Sequence, residues 1–390
     1  MTQSIIISIC LILLLAYLFD ISASKTRIPS VISFLMLGWL LQQLASLFGV
    51  KLPDFNFLLP VLGTVGLILI VLEGSLELHL DHSRVPLIRK SLLLSVLPLF
   101  CFTFALAAYL VHYQGTDWKR AMLNAVPFSI ISSAIAIPSA SGFSKSLKEF
   151  VIYESSLSDI VGVIVFNFIA YNSVIDAQAF GRFGLDFLVI LLVSVIAITL
   201  LSLMMSRVKH HIKFVPILLL TILVYSLLKE FHLPSLIFIL LFGLFLGNLE
   251  AFGKLPLMKR FSFRQLNSAL PSFHEISTEL AFVIRALFFI LFGFLLKTEE
   301  ILNLQTLPLA AAIVGLVLIL RIISLLILSL PVLPLLFVAP RGLITILLFL
   351  SIPVADQIPS INSGVVIQTV LLSALIMMLG LIFTNGKKAV

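Results

Sequence analysis

Charge is what this chain has least of. Of its 390 residues, 11% are charged and 61% are hydrophobic, where a typical soluble domain has roughly 25% and 45–50%. A water-soluble fold of this length cannot hide that much apolar surface, which excludes the soluble classes. Cysteine is almost missing. Cys10 and Cys101 sit singly in apolar blocks, with no partner at metal-ligand spacing, so both read as small buried hydrophobes. The net charge of +7 comes without a basic stripe or an aromatic platform, so nucleic acid is not expected as a partner. No nucleophile–base constellation, metal triad or phosphate loop stands clear of the apolar background, which leaves an enzyme the least supported class. Polar linkers are lacking too, and no soluble domain interrupts the pattern.

What the chain does have is uninterrupted apolar blocks of about twenty residues, the length at which a helix crosses roughly 30 Å of hydrocarbon. Thirteen transmembrane helices are expected, over residues 4–19, 28–48, 57–78, 87–111, 119–140, 150–175, 186–206, 214–229, 233–252, 277–296, 306–330, 332–354 and 363–384. The first block has no basic segment before it and no small-residue cleavage site before Lys25, so it reads as a span rather than a signal peptide. The whole of 1–390 is read as one integral membrane domain. Its longest connection, Gly253 to Ile276, is basic and is expected to lie along the cytoplasmic surface.

Lys and Arg counted in alternate loops test the span count, because basic loops stay cytoplasmic. One side collects sixteen: Lys25, Arg27, Arg84, Arg89, Lys90, Lys145, Lys148, Arg207, Lys209, Lys213, Lys254, Lys259, Arg260, Arg264, Lys387 and Lys388. The other has six: Lys51, Lys119, Arg120, Arg182, Lys229 and Lys297. This asymmetry places the N-terminus outside and the C-terminus in the cytoplasm of an inner (plasma) membrane, and agrees with an odd number of spans. His79, Asp81 and His82, with Glu77, read as solvated anchors at a span end, and His210 and His211 as part of a basic loop.

Three arginines, Arg285, Arg321 and Arg341, are left inside spans, facing few acids: Glu73, Glu154 and Asp159. A charge at mid-bilayer costs roughly 2.5–3.5 kcal/mol on insertion scales, so such groups face a cavity or one another and mark ion routes. In span six, Ser155 and Asp159 are four apart and share a helix face, while Glu154 and Asp159 are five apart, about 140° around the helix. Asp159 with Ser155 and Ser158 therefore offers a cluster of hard oxygens for a small cation such as Na⁺ or K⁺, and Glu154 points elsewhere, toward neutralising an arginine. The bland alternative is that both acids only pair with arginines to hold helices together. Glu73 with Arg285 is a possible funnel, or a snorkelling acid and an internal pair.

Two spans are expected to be discontinuous. Residues 132–141 of span five carry Ser132, Ser133, Pro138 and Ser139, and residues 338–342 of span twelve carry Pro340, Arg341 and Gly342; each set weakens helix continuity. The two spans are each second to last in a set of six. Broken helices at matching places of two halves point to a midplane site in carriers built from inverted repeats. The fold class expected is thus an all-α membrane protein with two inverted six-helix repeats and crossed broken helices.

At these residues the sequence resembles the monovalent cation:proton antiporter superfamily, the sodium/proton exchangers, in its electroneutral branch. RIPSVISFLMLGWLL from Arg27 and LILIVLEGSLELHL ending at Leu80 resemble its second- and third-span motifs, and ESSLSD, residues 154–159, its Glu-Ser-x-x-Asn-Asp motif. IRALFFILFGFLL from Ile284, LRIISLL around Arg321 and PRGLI around Arg341 are similar to motifs of spans ten to twelve. The resemblance implies that Asp159 takes either a proton or the cation, that Ser155 is an ion ligand, that Glu154 pairs with Arg321, and that Arg341 holds the span-twelve crossing. It implies core transport helices over 87–175 and 306–384 that slide, elevator fashion, against dimerisation or scaffold helices over 4–78 and 186–296, in a homodimer. No cofactor is expected beyond the transported Na⁺ or K⁺ and H⁺. Two departures stand out. Ser158 replaces the family's Asn or second Asp, which favours one-for-one exchange, and Ala136, Ile137 and Pro138 replace Thr-Asp-Pro, with Ser132, Ser133 and Ser139 as stand-ins for the lost hydroxyl. The alternatives are a sodium-coupled organic-anion symporter of similar build and a non-transporting membrane subunit or sensor.

Overall fold

A computed structural model describes residues 2–26, 28–49, 55, 57–78, 84–140, 142–172, 176–207, 214–249, 252 and 263–384. The loop cations Arg27, Lys51, Lys209, Lys213, Lys254, Lys259, Arg260, Lys387 and Lys388, and with them His79, Asp81, His82, His210 and His211, lie outside the described residues.

Helices dominate what is described. In chain order they are α1 (Thr2–Thr26), α2 (Ser30–Leu47), α3 (Leu58–Glu77), α4 (Val85–Gln114), α5 (Trp118–Ser129), α6 (Ser133–Ser139), α7 (Lys145–Tyr171) and α8 (Ala177–Arg207). There follow α9 (Phe214–Glu230), α10 (Leu236–Gly247), α11 (Phe263–Leu295), α12 (Thr298–Ile301), α13 (Leu307–Ile327), α14 (Leu343–Leu350) and α15 (Ser363–Thr384). Ten stretches, counting Trp118–Ser139 as one, are long and apolar enough to cross a membrane. The three remaining expected spans correspond to shorter helices: α9 with 17 residues, α10 with 12 and α14 with 8.

The structure departs from the sequence reading at four places. The break in span five falls at Ile130–Ser132, at the leading edge of the expected segment 132–141, while Pro138 lies inside α6. Residues 331–342 of span twelve form no helix at all, because Pro331, Pro334 and Pro340 remove three backbone donors in ten residues. The expected loop 253–276 is helical from Phe263 onward, since Leu266, Ala269, Phe273 and Ser277 recur at helical spacing and form one buried face of α11. Cys10 and Cys101 are exposed rather than buried: in a bilayer an apolar face is as comfortable against lipid as in the core.

The chain forms two compact units, one of Met1–Thr64, Lys90–Gly162 and Val283–Val390, the other of Val65–Arg89 and Val163–Phe282. Within the second unit, Gly243 and Gly247 on α10 lie one turn apart and face Ser75 and Leu76 of α3, so closely that no side chain fits at either glycine. Asn248 extends this seam by donating to the Leu78 carbonyl at 2.7 Å. Small residues at such spacing let helices approach where no hydrophobic drive separates protein from lipid.

The first unit holds both interrupted spans, and α14 packs against α5. Midway along α5, buried Asn124 donates to the Asp356 carbonyl (2.8 Å) and accepts from the Ile358 N–H (3.3 Å), fixing the segment after α14. Elsewhere in this unit Gly293 of α11 faces the Leu35 backbone of α2, and Gly38 of α2 faces α11, where an added Cβ would lie 2.7 Å from the Phe294 nitrogen. Backbone cannot yield as a flexible side chain can, and overpacking typically costs about 1–3 kcal/mol. Gly38→Val is therefore expected to lower the melting temperature of the purified protein, measured by intrinsic fluorescence in detergent, whereas Gly315→Ala, at an open position, leaves it within a degree or so.

Candidate ion-binding site

The break between α5 and α6 follows from where its backbone hydrogen bonds go. In a continuous helix the N–H groups of Ile131, Ser132 and Ser133 would donate to the carbonyls four residues earlier, at Pro127, Phe128 and Ser129. Here the Ile131 N–H donates to Ser158 Oγ (3.0 Å) and the Ser132 N–H to the Pro340 carbonyl (2.9 Å), while the Ser133 N–H faces the Asp159 carboxylate. The released carbonyls of Phe128 and Ser129 accept from Arg341, from Nε at 2.6 Å and from Nη2 at 3.3 Å. A third guanidinium nitrogen, Nη1, donates to the Ala339 carbonyl at 3.2 Å. The cation thus caps the C-terminal end of α5, where unsatisfied carbonyls carry partial negative charge.

Asp159 is 1% exposed. Its Oδ2 accepts from Ser133 Oγ, while Oδ1 has no hydrogen-bond partner. It makes no ion pair among the described residues: both nearby guanidiniums are otherwise engaged, Arg341 by carbonyls and Arg321 by Glu154. That second pair is bidentate, at 2.5 and 3.1 Å, with both side chains buried, and Arg321 Nε also donates to the Leu335 carbonyl at 2.6 Å. One buried acid is therefore neutralised inside the protein and the other is not. A cavity of about 20 Å³, room for about one water, lies between Arg321 and Arg341, with Ser95 and Ser129 in its wall.

Of the residues singled out by sequence, the structure brings Ser132, Ser133, Asp159, Pro340 and Gly342 together: an added Cβ at Gly342 would lie 2.7 Å from Ser132 Oγ. Ser158 is occupied in holding the Ile131 N–H. Ser155 Oγ donates to the Val151 carbonyl (2.8 Å) and Ser139 Oγ to the Ile135 carbonyl (2.7 Å), each within its own helix. Glu73, half-buried in α3, belongs to the second unit, and Arg285, buried in α11 with Nε unpartnered, to the first. Sequence reasoning missed Ser373, whose Oγ accepts the Arg341 backbone N–H at 3.0 Å. It missed Gly162 as well, whose lack of a side chain makes room for Ile130 against α7. A small or polar residue inside an apolar span was the only signal for either.

A family model described as the transmembrane sodium/hydrogen exchanger matches residues 10–384. The chain belongs to the sodium/hydrogen exchanger family. It is a multi-pass membrane cation:proton antiporter, a secondary transporter rather than an enzyme, and such antiporters normally work without a cofactor. Two solved structures of the sodium proton antiporter MjNhaP1 from Methanocaldococcus jannaschii share the fold. One, determined at pH 8, has a TM-score of 0.70 at 17% identity and covers 99% of each chain. The other, from an electron-microscopy map, has the same score and identity and covers 99% of this chain and 97% of that one. No curated protein is a significant match.

Breaking a buried ion pair by removing one partner costs about 3–5 kcal/mol, because the other charge is stranded. Glu154→Gln is expected to lower thermal stability by that order and to do so more than Asp159→Asn, which strands no guanidinium; thermal melts of the two variants side by side decide it, and the reverse order would remove the structural role of Glu154.

Proposed function

We propose that this exchanger carries one monovalent cation, Na⁺ or K⁺, against one proton per cycle, with Asp159 holding each in turn. The observation that carries the reading is the state of that carboxylate: buried at the crossing, without an ion-pair partner among the described residues, one oxygen held by Ser133 and the other open. An ionised acid at such a depth is costly unless its charge is met. A proton meets it covalently and a cation meets it electrostatically, and the two exclude one another.

Charge bookkeeping favours the one-for-one ratio. Glu154 and Arg321 cancel, and Arg341 is spread over three carbonyls. Ser158 and the Ala136-Ile137-Pro138 segment supply no second acid. Loading Asp159 with either species adds the same single positive charge, so both arms of the cycle move a core of equal charge. If only the loaded site changes sides readily, the two gradients are coupled. In the mechanism we favour, the helices over 87–175 and 306–384 carry the site in an elevator motion against those over 4–78 and 186–296 of a homodimer, in a plasma membrane with the C-terminus cytoplasmic. Ser155 keeps its lone pairs free while donating to Val151, so it remains available as a ligand on the same face as Asp159.

Asp159→Asn and Asp159→Ala are expected to abolish proton flux driven by Na⁺ or K⁺ in dye-loaded proteoliposomes while the protein stays folded by gel filtration. Full activity in either variant would end the assignment. Proton release on adding the cation alone, without any organic solute, separates exchange from solute symport and from a non-transporting role.

A further inference from the structure

The oxygens around Asp159 are incompletely used. Three buried side-chain oxygens at the crossing have no hydrogen-bond partner: Asp159 Oδ1, Ser132 Oγ and Thr345 Oγ1, on residues 1%, 2% and 1% exposed. The first two are linked through Ser133, which follows Ser132 and donates to the other carboxylate oxygen. The third sits on the opposite broken span. Gly342 is the N-cap of α14 and Thr345 the third residue of the helix, positions that face each other across a first helical turn. Side chains on a helix lean back toward its N-terminus, which carries the Thr345 hydroxyl toward Gly342. Gly342 in turn abuts Ser132, since a methyl group there would lie 2.7 Å from Ser132 Oγ.

The usual refuge for a buried helical hydroxyl is the carbonyl four residues earlier. Ser155, Thr221 and Ser277 of this protein all take it, at 2.7–2.8 Å. Thr345 does not. A hydroxyl kept dry and unpartnered costs stability, and this one sits in the first turn of α14, whose N-cap Gly342 abuts Ser132. Oxygen donors that converge without satisfying one another suit a hard cation.

We propose that Thr345 is a cation-site residue, its hydroxyl joining Ser132 Oγ and Asp159 Oδ1 around the transported ion, so that each broken span contributes a side-chain oxygen. This rests on the reading of Asp159 above and extends it to α14, whose start then serves the ion as well as the crossing.

The test is the apparent KM for Na⁺ and for K⁺ in proteoliposomes at fixed pH, for Thr345→Val, Thr345→Ala and Thr345→Ser, with thermal stability measured alongside. Loss of a hydroxyl that contacts a charge is expected to raise KM about tenfold or more in the Val and Ala variants; Thr345→Ser, which keeps the oxygen, is expected to restore most of the affinity. Ser132→Ala is expected to act in the same direction. If Thr345→Val is as stable as the parent or more so and its KM is unchanged, the hydroxyl is an orphan or holds water and the proposal is overturned. An equal loss of stability and affinity in Thr345→Val, Thr345→Ala and Thr345→Ser overturns it too, since packing alone then explains the effect. The proposal can fail while Asp159→Asn still abolishes transport, which leaves the reading of Asp159 standing; an active Asp159→Asn removes both.

Discussion

The architecture at the crossing hangs on one exchange of backbone hydrogen bonds. Between Phe128 and Ser133 three N–H groups and two carbonyls leave their helical partners and find new ones on Ser158, Asp159, Pro340 and Arg341. In hydrocarbon an unmet backbone group costs several kilocalories per mole, so the break persists only while these four residues are present together. They come from two other segments, α7 and the non-helical run before α14. Three pieces of chain far apart in sequence are thereby fixed to one another, and the carboxylate of Asp159 is held where a helix begins, within reach of an N–H and a hydroxyl of the same residue.

Two buried arginines then have different physical jobs despite their identical chemistry. Arg321 meets a carboxylate in a fork-to-fork pair, the geometry in which guanidinium is strongest; the pair is closed and carries no net charge. Arg341 meets carbonyl dipoles, which stabilise its charge without cancelling it. A lysine would serve neither place, since its ammonium lacks the planar fork that reaches Phe128, Ser129 and Ala339 together. The proposed exchange needs this division of labour, because an arginine paired with Asp159 would occupy the place that a proton or cation is to take.

Much of this was legible in the residues and some was not. The apolar blocks gave the spans, and the five-residue offset of Glu154 and Asp159 separated the two acids before any contact was known. The span-five break was legible only to within its first residues, through Ser132 and Ser133. Pro138 drew it too far along the chain: a proline in the last turn of a short helix forfeits a single bond, whereas the break at 130–132 is stabilised by Arg341, some two hundred residues away. Local sequence carries no trace of such a partner. Thr345 and Ser373 were invisible for a related reason: a lone hydroxyl in an apolar run looks alike whether it bonds its own helix or another. Ser155 and Ser139 do the first, and Ser373 does both, donating to the Val370 carbonyl and accepting from Arg341. The cysteines failed in the opposite sense, because apolar surroundings in sequence do not separate lipid from core.

The loss of the family's Thr-Asp-Pro in span five is easier to understand from the crossing than from the motif. By the resemblance, that motif brings a hydroxyl and an acid to the site. In this chain Ser132 and Ser133 stand at that start, and Ser133 already holds the Asp159 carboxylate. In the proposed reading the hydroxyl is supplied from Ser132 and Ser133 instead, and the acid is not replaced at all. An additional carboxylate beside Asp159 would raise the cost of the empty site, since two like charges in one dry pocket repel, and would need its own cation or proton in every cycle. With one acid, a single charge is left to be met, and neutral hydroxyls complete the surroundings. In the proposed reading such a site would bind its ion through one strong electrostatic contact and several weak ones, so its choice among monovalent cations would depend on how many hydroxyl oxygens close around the ion and at what distance.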